Sequence, residues 1–322
     1  MSRVVPLTLL LLLGCGNASG VLNPRGPIAA HIHELWWLLF LLALLVFAPV
    51  LALLLYALFH SRAKESAPRR DVERRLVVGG GLVMPIVVLS AVFVLTIRST
   101  VELSKQPTTD LTIQVIGHQW WWEIRYADYG FDTANEITIP TEKNVRVELQ
   151  TRDVIHSFWL PELSGKVDLV PGHTNAVWLN AKEAGVYQGY CAEFCGLQHA
   201  LMKFQVIALR SDEFENWARA QLQNALPPTD ALAQRGLQIF LTEECATCHV
   251  VRGTDAQGGK GPDLTHFASR RTLAAGAVKN TRDALAQWIR EPEKIKRGTT
   301  MPPTLLSDAD LQALLAYMES LK

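Results

Sequence analysis

The sequence predicts a multi-domain membrane protein: a two-helix transmembrane hairpin, then an all-β domain, then a separate C-terminal domain with its own redox motif. Three observations carry this. Residues 35–59 and 76–97 are apolar runs without a formal charge, each long enough to cross about 30 Å of hydrocarbon as a helix. Residues 111–117, 120–126, 144–150, 176–180 and 202–209 are short β-rich runs broken by turns, the pattern of a sandwich or barrel. Farther on, Cys245-Ala246-Thr247-Cys248-His249 is a covalent heme c attachment pattern, with two thioether links and an adjacent histidine for the iron.

Taken in order, the chain opens with Arg3, an apolar stretch over 4–13, and Leu12-Leu13-Gly14-Cys15. This resembles a bacterial lipoprotein signal with lipidation at Cys15; an ordinary signal peptide or apolar tail, with Cys15 as a small hydrophobe, is the alternative. Residues 16–100 form the hairpin. Its connector, 60–75, holds six Lys or Arg against three acidic residues, so the positive-inside bias puts it in the cytoplasm and everything after Ile97 outside. Pro49 and Gly79, Gly80 and Gly81 fall inside the helices, where neighbouring helices can satisfy the backbone. Residues 101–225 form the all-β domain, closed by a helix at about 212–224. Leu226-Pro227-Pro228-Thr229 is a semi-rigid spacer into the C-terminal domain, 226–322.

Formal charge balances to zero, but the segment 98–229 is acidic and would attract a basic donor protein. The basic cluster at 62–75 sits between two spanning helices and marks topology, so no nucleic-acid partner is expected.

Between Cys191 and Met202 the chain reads Cys-Ala-Glu-Phe-Cys-Gly-Leu-Gln-His-Ala-Leu-Met. Two thiolates, an imidazole and a thioether in twelve residues form a copper donor set, because soft sulfur favours the reduced ion while imidazole holds the oxidised one. Two cysteines can bridge a pair of ions, whereas a blue-copper site uses one cysteine. A second histidine is needed, and His156, at the head of an apolar strand-like run, supplies it. A Cys191–Cys195 disulfide is the competing reading, but leaves His199 and Met202 unexplained.

For the heme segment, zinc would need a second cysteine pair, which the downstream sequence lacks. The distal ligand comes from Met301, His266 or Met318. Met318 falls in line with Leu311, Leu314 and Leu315 at helical spacing and reads as core. His266 would give a lower-potential heme; Met301, stiffened by Pro302 and Pro303, is the favoured ligand.

With these residues in view, the Cys-x-Glu-x-Cys-Gly-x-x-His-x-x-Met run and the upstream Asp153-Val154-Ile155-His156-Ser157 resemble subunit II of cytochrome c oxidase. The resemblance implies a cupredoxin fold and a dinuclear copper centre, CuA, held by His156, Cys191, the carbonyl of Glu193, Cys195, His199 and Met202. It also implies a magnesium ion at the Glu193 carboxylate. It gives Trp120, Trp121 and Trp122 a role as electron relay. From about Asp230 onward the chain resembles an all-α class I cytochrome c domain, through Gly261-Pro262-Asp263-Leu264, Trp288-Ile289 and the methionine loop. There the Pro262 carbonyl would orient His249, with Cys245 and Cys248 binding heme c; Arg297 departs from the family's usual proline.

Together the resemblances imply the electron-input subunit of a caa-type, proton-pumping oxidase in a bacterial cytoplasmic membrane. Electrons would come from cytochrome c, and subunit I and further oxidase subunits would be partners beside the lipid bilayer. The alternatives are the input subunit of a CuA-containing nitric oxide reductase and a free-standing membrane-anchored carrier. No catalytic residue for oxygen chemistry is expected on this chain.

Overall fold

The computed structural model describes residues 20–60 and 70–322; Cys15 and most of the basic connector lie outside the described residues. The chain divides into a helical unit, His33–Pro107, and a second unit that runs from Thr108 to Lys322 and includes the segment before His33.

Helices α1 (Pro27–Phe59) and α2 (Arg70–Leu103) are the two apolar helices. Both outrun the apolar stretches read from the sequence, because a helix propagates through polar flanks. Pro27 opens α1 where its missing N–H is not needed, and Arg70–Arg75 form the polar start of α2. Of the described residues in these helices only Ala29 is buried. Apolar side chains facing outward all round belong in lipid. Pro49 lies within α1. In α2, Leu76–Val83 is a π-helical stretch in which the Met84 N–H donates to Gly79 O, five residues back. The cause is Pro85 just beyond it: proline has no N–H and crowds the carbonyl four residues back, which the wider turn relieves.

Ten strands make the next domain: β1 (Leu111–His118), β2 (Trp121–Tyr126), β3 (Phe131–Ala134), β4 (Glu136–Pro140), β5 (Val145–Thr151), β6 (His156–Trp159), β7 (Lys166–Leu169), β8 (Asn175–Leu179), β9 (Gly185–Cys191) and β10 (Lys203–Leu209). They form two five-stranded sheets, β3-β2-β1-β5-β8 and β4-β10-β9-β6-β7. Pairing is antiparallel except for β1 with β5 and β4 with β10. Alternate residues point inward: Ile113 and Val115 from β1, Trp122, Ile124 and Tyr126 from β2, and Phe204 and Val206 from β10 fill one core. Buried in it, the Tyr126 hydroxyl donates to Thr138 O at 2.8 Å and accepts from Thr138 N at 2.7 Å, as a buried hydroxyl requires. Helix α3 (Ser211–Gln221) closes one end, with Trp217 edge-on to Tyr126 and Phe131. This is a cupredoxin-like sandwich.

The C-terminal domain is helical. Helix α4 (Ala231–Thr242) starts at an Asp230 cap, α5 is the short turn Cys245–Cys248, α6 (Arg282–Arg290) starts at a Thr281 cap, α7 is Pro292–Ile295, and α8 (Asp308–Ser320) starts at a Ser307 cap. Each cap side chain accepts a backbone N–H of the first turn. Helices α4 and α8 cross at Gly236, where an added Cβ would lie 2.0 Å from Ala313 O. Only glycine permits that approach. Met318 is buried in the core of α8, in keeping with its helical spacing. A two-residue ladder, β11 (Thr272–Leu273) with β12 (Val278–Lys279), interrupts the all-α pattern expected here.

Candidate metal centres

The fold gathers the first donor set from three places. Strand β6 begins with His156, β9 ends with Cys191, and the loop from 192 to 202 returns Cys195, His199 and Met202 to β10. The loop closes because Cys191 N donates to Met202 O at 3.0 Å. Cys191 Sγ and Cys195 Sγ lie 3.8 Å apart. Both are free thiols, well beyond the roughly 2.05 Å of a disulfide. His156 Nδ1 is 3.9 Å from Cys191 Sγ, His199 Nδ1 is 3.8 Å from Cys195 Sγ, Met202 Sδ is 3.9 Å from Cys195 Sγ, and the Glu193 carbonyl is 3.3 Å from Cys191 Sγ. Donors that share one ion at about 2.0–2.3 Å are separated by roughly this much. Among the described residues, the group of three metal-capable His, Cys or carboxylate residues is His156, Cys191 and Cys195, all buried.

The protonation of the two thiols points the same way. Hydrogen bonding from Cys195 holds the Cys191 thiol far down, to about 3, helped by His156 against the opposing effect of burial. Cys195 is pushed strongly up, first by its bond to Cys191 and then by burial. Two buried thiolates at this distance cannot both persist unless cations neutralise them, so the donor set fits a metal pair.

His156 is aimed by a residue the sequence reading quoted without giving it a role. Its Nε2 faces the Asp153 carboxylate at 2.8 Å, so that nitrogen carries the proton and Nδ1 keeps its lone pair for the sulfur cluster. Burial lowers the His156 pKa, but Cys191 and Asp153 outweigh it and raise it. Asp153 also accepts from Gln119 N at 2.6 Å and Val154 N at 2.7 Å. Space for the ring exists because position 117 is glycine: a Cβ there would meet His156 Cδ2 at 2.8 Å.

The three consecutive tryptophans take three different places. Trp120 Nε1 donates to Cys195 O at 2.9 Å, beside Gln119 Nε2 at 2.8 Å to the same carbonyl. Trp121 stacks on His118 with ring centres 4.4 Å apart. Trp122 is fully buried among His156, Phe158 and Phe204.

The second site is assembled by the C-terminal domain. Helix α5 puts Cys245 and Cys248 on one face as free, half-buried thiols, the i, i+3 relation of a helix. His249 Nδ1 donates to Pro262 O at 2.8 Å, which fixes the tautomer and leaves Nε2 as the lone-pair nitrogen. Burial lowers the His249 pKa, with the Pro262 bond opposing; a neutral imidazole is the form that binds iron. Met301 packs against the same core as Cys245 and Trp288. His266 is otherwise engaged: its Nδ1 lies 2.8 Å from Lys322 O and its Nε2 3.1 Å from Gln223 O, so both ring nitrogens face carbonyls. These residues fit a porphyrin that Cys245 and Cys248 would tether and whose iron His249 would bind.

A cleft of about 660 Å³ opens between the two domains, walled by His118, Trp121, Glu123, Asp132, Arg252 and Asp263 among others. Several of its charges pair internally, His118 with Glu123 at 2.8 Å and Arg252 with Asp263 at 3.6 Å.

Comparison with known proteins gives a consistent picture. Residues 131–209 match the family model for the periplasmic domain of cytochrome c oxidase subunit II, and residues 233–322 match that for cytochrome c. A relative from Alkalihalophilus pseudofirmus, named cytochrome c oxidase subunit 2, is 38% identical over 100% of this chain and 97% of its own length. One of the same name from Bacillus subtilis is 31% identical over 99% of this chain and 96% of its own. Among solved structures, the periplasmic domain of subunit II of cytochrome oxidase from Bradyrhizobium japonicum is 35% identical, covering 36% of this chain and 95% of that one with a TM-score of 0.35.

Proposed function

This chain belongs to the cytochrome c oxidase subunit 2 family, and on that premise we propose how its own residues serve electron input. It is the electron-input subunit of a heme-copper oxidase complex and binds CuA and heme c. When bound, the two cofactors supply one-electron carriers that change redox state without making or breaking bonds to substrate.

His156, Cys191, Cys195, His199, Met202 and the Glu193 carbonyl would hold the copper pair. Cys245 and Cys248 would tether the porphyrin, and His249 and Met301 would ligate its iron. The observation that carries this reading is the pair of buried free thiols 3.8 Å apart, each facing a histidine Nδ1. Asp153 and Pro262 do matched work: each takes the proton-bearing nitrogen of a histidine, so the ring neither rotates nor changes tautomer between redox states. The packed sandwich around Trp122, Phe158 and Phe204 buries His156, Cys191, Cys195 and Met202, which keeps reorganisation at these donors small. Trp120 touches the copper loop through Cys195 O, which supports a relay role for it; Trp121 and Trp122 make no such contact with the loop.

The finer reading is that cytochrome c is the external donor and that subunit I, with further oxidase subunits, receives the electrons in a proton-pumping complex of the bacterial cytoplasmic membrane. The Glu193 carboxylate would help bind magnesium at the boundary with subunit I. Two outward-apolar helices support the membrane setting. The test is Cys195→Ser in the purified complex. Oxygen uptake driven by reduced cytochrome c should fall to background and the near-infrared copper band should vanish, while the heme c spectrum persists. Normal copper content and normal turnover would refute the assignment.

A further inference from the structure

Apart from the 221–225 segment that leads into it, where Arg252 Nη2 donates to Gln221 O at 2.6 Å, the C-terminal domain is fastened to the sandwich at two further places. At the first, the buried Glu136 carboxylate on β4 accepts from Arg271 N, Thr272 N and the Thr272 hydroxyl, each at 2.9 Å, while Lys203 N donates to Ala275 O at 3.0 Å. At the second, the two ligand-bearing loops meet. Leu197 of the copper loop packs on Gly298 of the methionine loop. Gln198 Nε2 reaches Lys296 O at 3.5 Å, and Lys296 Nζ donates to Trp120 O at 2.8 Å. Trp120 extends the contact inward through its Nε1–H to Cys195 O.

Lys296 is 3% exposed. Burial pulls the Lys296 pKa down to about 7, so an amine is an expensive way to fill this space, and an apolar side chain of the same length would pack there without losing hydration. What the amine adds is a directional N–H bond, which fixes the position of one loop against the other.

We propose that Lys296 is a positioning residue for electron passage between the two domains, pinning the methionine loop to Trp120 and through it to Cys195. This rests on the reading that one domain holds heme c and the other CuA. With both groups bound, the step it would serve is the passage of one electron, with the iron giving up the electron that the copper pair takes and no bond made or broken. The line Lys296–Trp120–Cys195 has two hydrogen bonds, of which the one from Lys296 Nζ to Trp120 O crosses the interface.

The test uses the full chain in its complex. Lys296→Met keeps the length and removes the donor. Reduction of the copper centre by heme c, followed optically after rapid mixing with a reduced donor, should slow about tenfold, because losing one buried hydrogen bond of about 1.4 kcal/mol lowers the population of the pinned arrangement by that factor. Reduction of heme c itself should be unchanged, and Lys296→Arg should recover most of the rate. An unaltered interdomain rate in Lys296→Met overturns the proposal. Absence of the copper or heme spectrum from the unsubstituted complex overturns the underlying reading instead. A second measurement needs no variant: amine acylation of the intact chain read by mass spectrometry. Lys296 should stay unmodified while Lys294, with 62% of its side chain exposed, reacts; equal labelling of the two refutes the buried contact.

Discussion

Asp153 and Pro262 show what a single residue contributes beyond ligation, since neither is a ligand in this account and each decides which nitrogen of a histidine is free. Asp153→Ala would release His156 to rotate, and copper affinity should fall roughly 10- to 100-fold, the usual effect of losing such an orienting partner. Competitive copper titration of the purified chain measures it, and an undiminished affinity would show that the loop alone sets the geometry. Met301→His would exchange a thioether for an imidazole at the iron, so the heme potential should drop in a redox titration; an unmoved potential would remove Met301 from the coordination sphere. The proposed cysteine ligands and the His199, Met202 and His249 beside them stand out in the sequence because a metal or heme demands particular donors at short spacing. The orienting residues do not. Asp153 and Gln119 act through contacts with Gln119 N and Cys195 O across 34 and 76 residues of chain, and Lys296 meets Trp120 across 176. No local pattern distinguishes them from ordinary polar residues.

Among the elements, the apolar helices, five of the strands and the strand-like run headed by His156, which is β6, could be read from pattern, while β3, β4, β7 and β9 could not. Strands β3 and β7 have four residues each, too few for alternation to register against the turns around them. Strand β9 carries Gly185 and Gly189, which weaken any strand signal, although it ends in Cys191. Strand β4 is only five residues long and ends in Pro140, too short for its Glu-Ile-Thr-Ile alternation to stand out, and every one of its residues is buried, as happens when a strand is covered on both faces. The same logic of close covering governs the α4–α8 crossing. Gly236→Val would drive side-chain atoms into Ala313 O and Tyr317 Cβ, and overpacking of this kind costs about 1–3 kcal/mol. Thermal unfolding of the heme-bearing domain should therefore move to lower temperature, while the copper spectrum of the sandwich is retained. A melting temperature equal to that of the unsubstituted chain would mean that the helices separate without penalty.

At the level of the whole molecule, two redox folds are joined in one extramembrane unit and followed back to a pair of outward-apolar helices. The order of parts was legible from composition alone: apolar runs, β-rich runs, then the heme motif. The seam was not. Glu136 sits in an apolar strand as an apparent misfit, and its partners Arg271 and Thr272 lie 135 and 136 residues away. Its burial is explained only by the three donors that meet it, which satisfy a carboxylate that would otherwise be costly to desolvate. The central claim is that the sulfur cluster grips a metal pair beside a tethered porphyrin, and metal analysis of the purified full-length chain tests it most directly. Two copper ions for each covalently bound heme, with both Cys191 and Cys195 free of disulfide, is the predicted result. Covalent heme with no copper, or those two sulfurs recovered as a disulfide from active material, would contradict it.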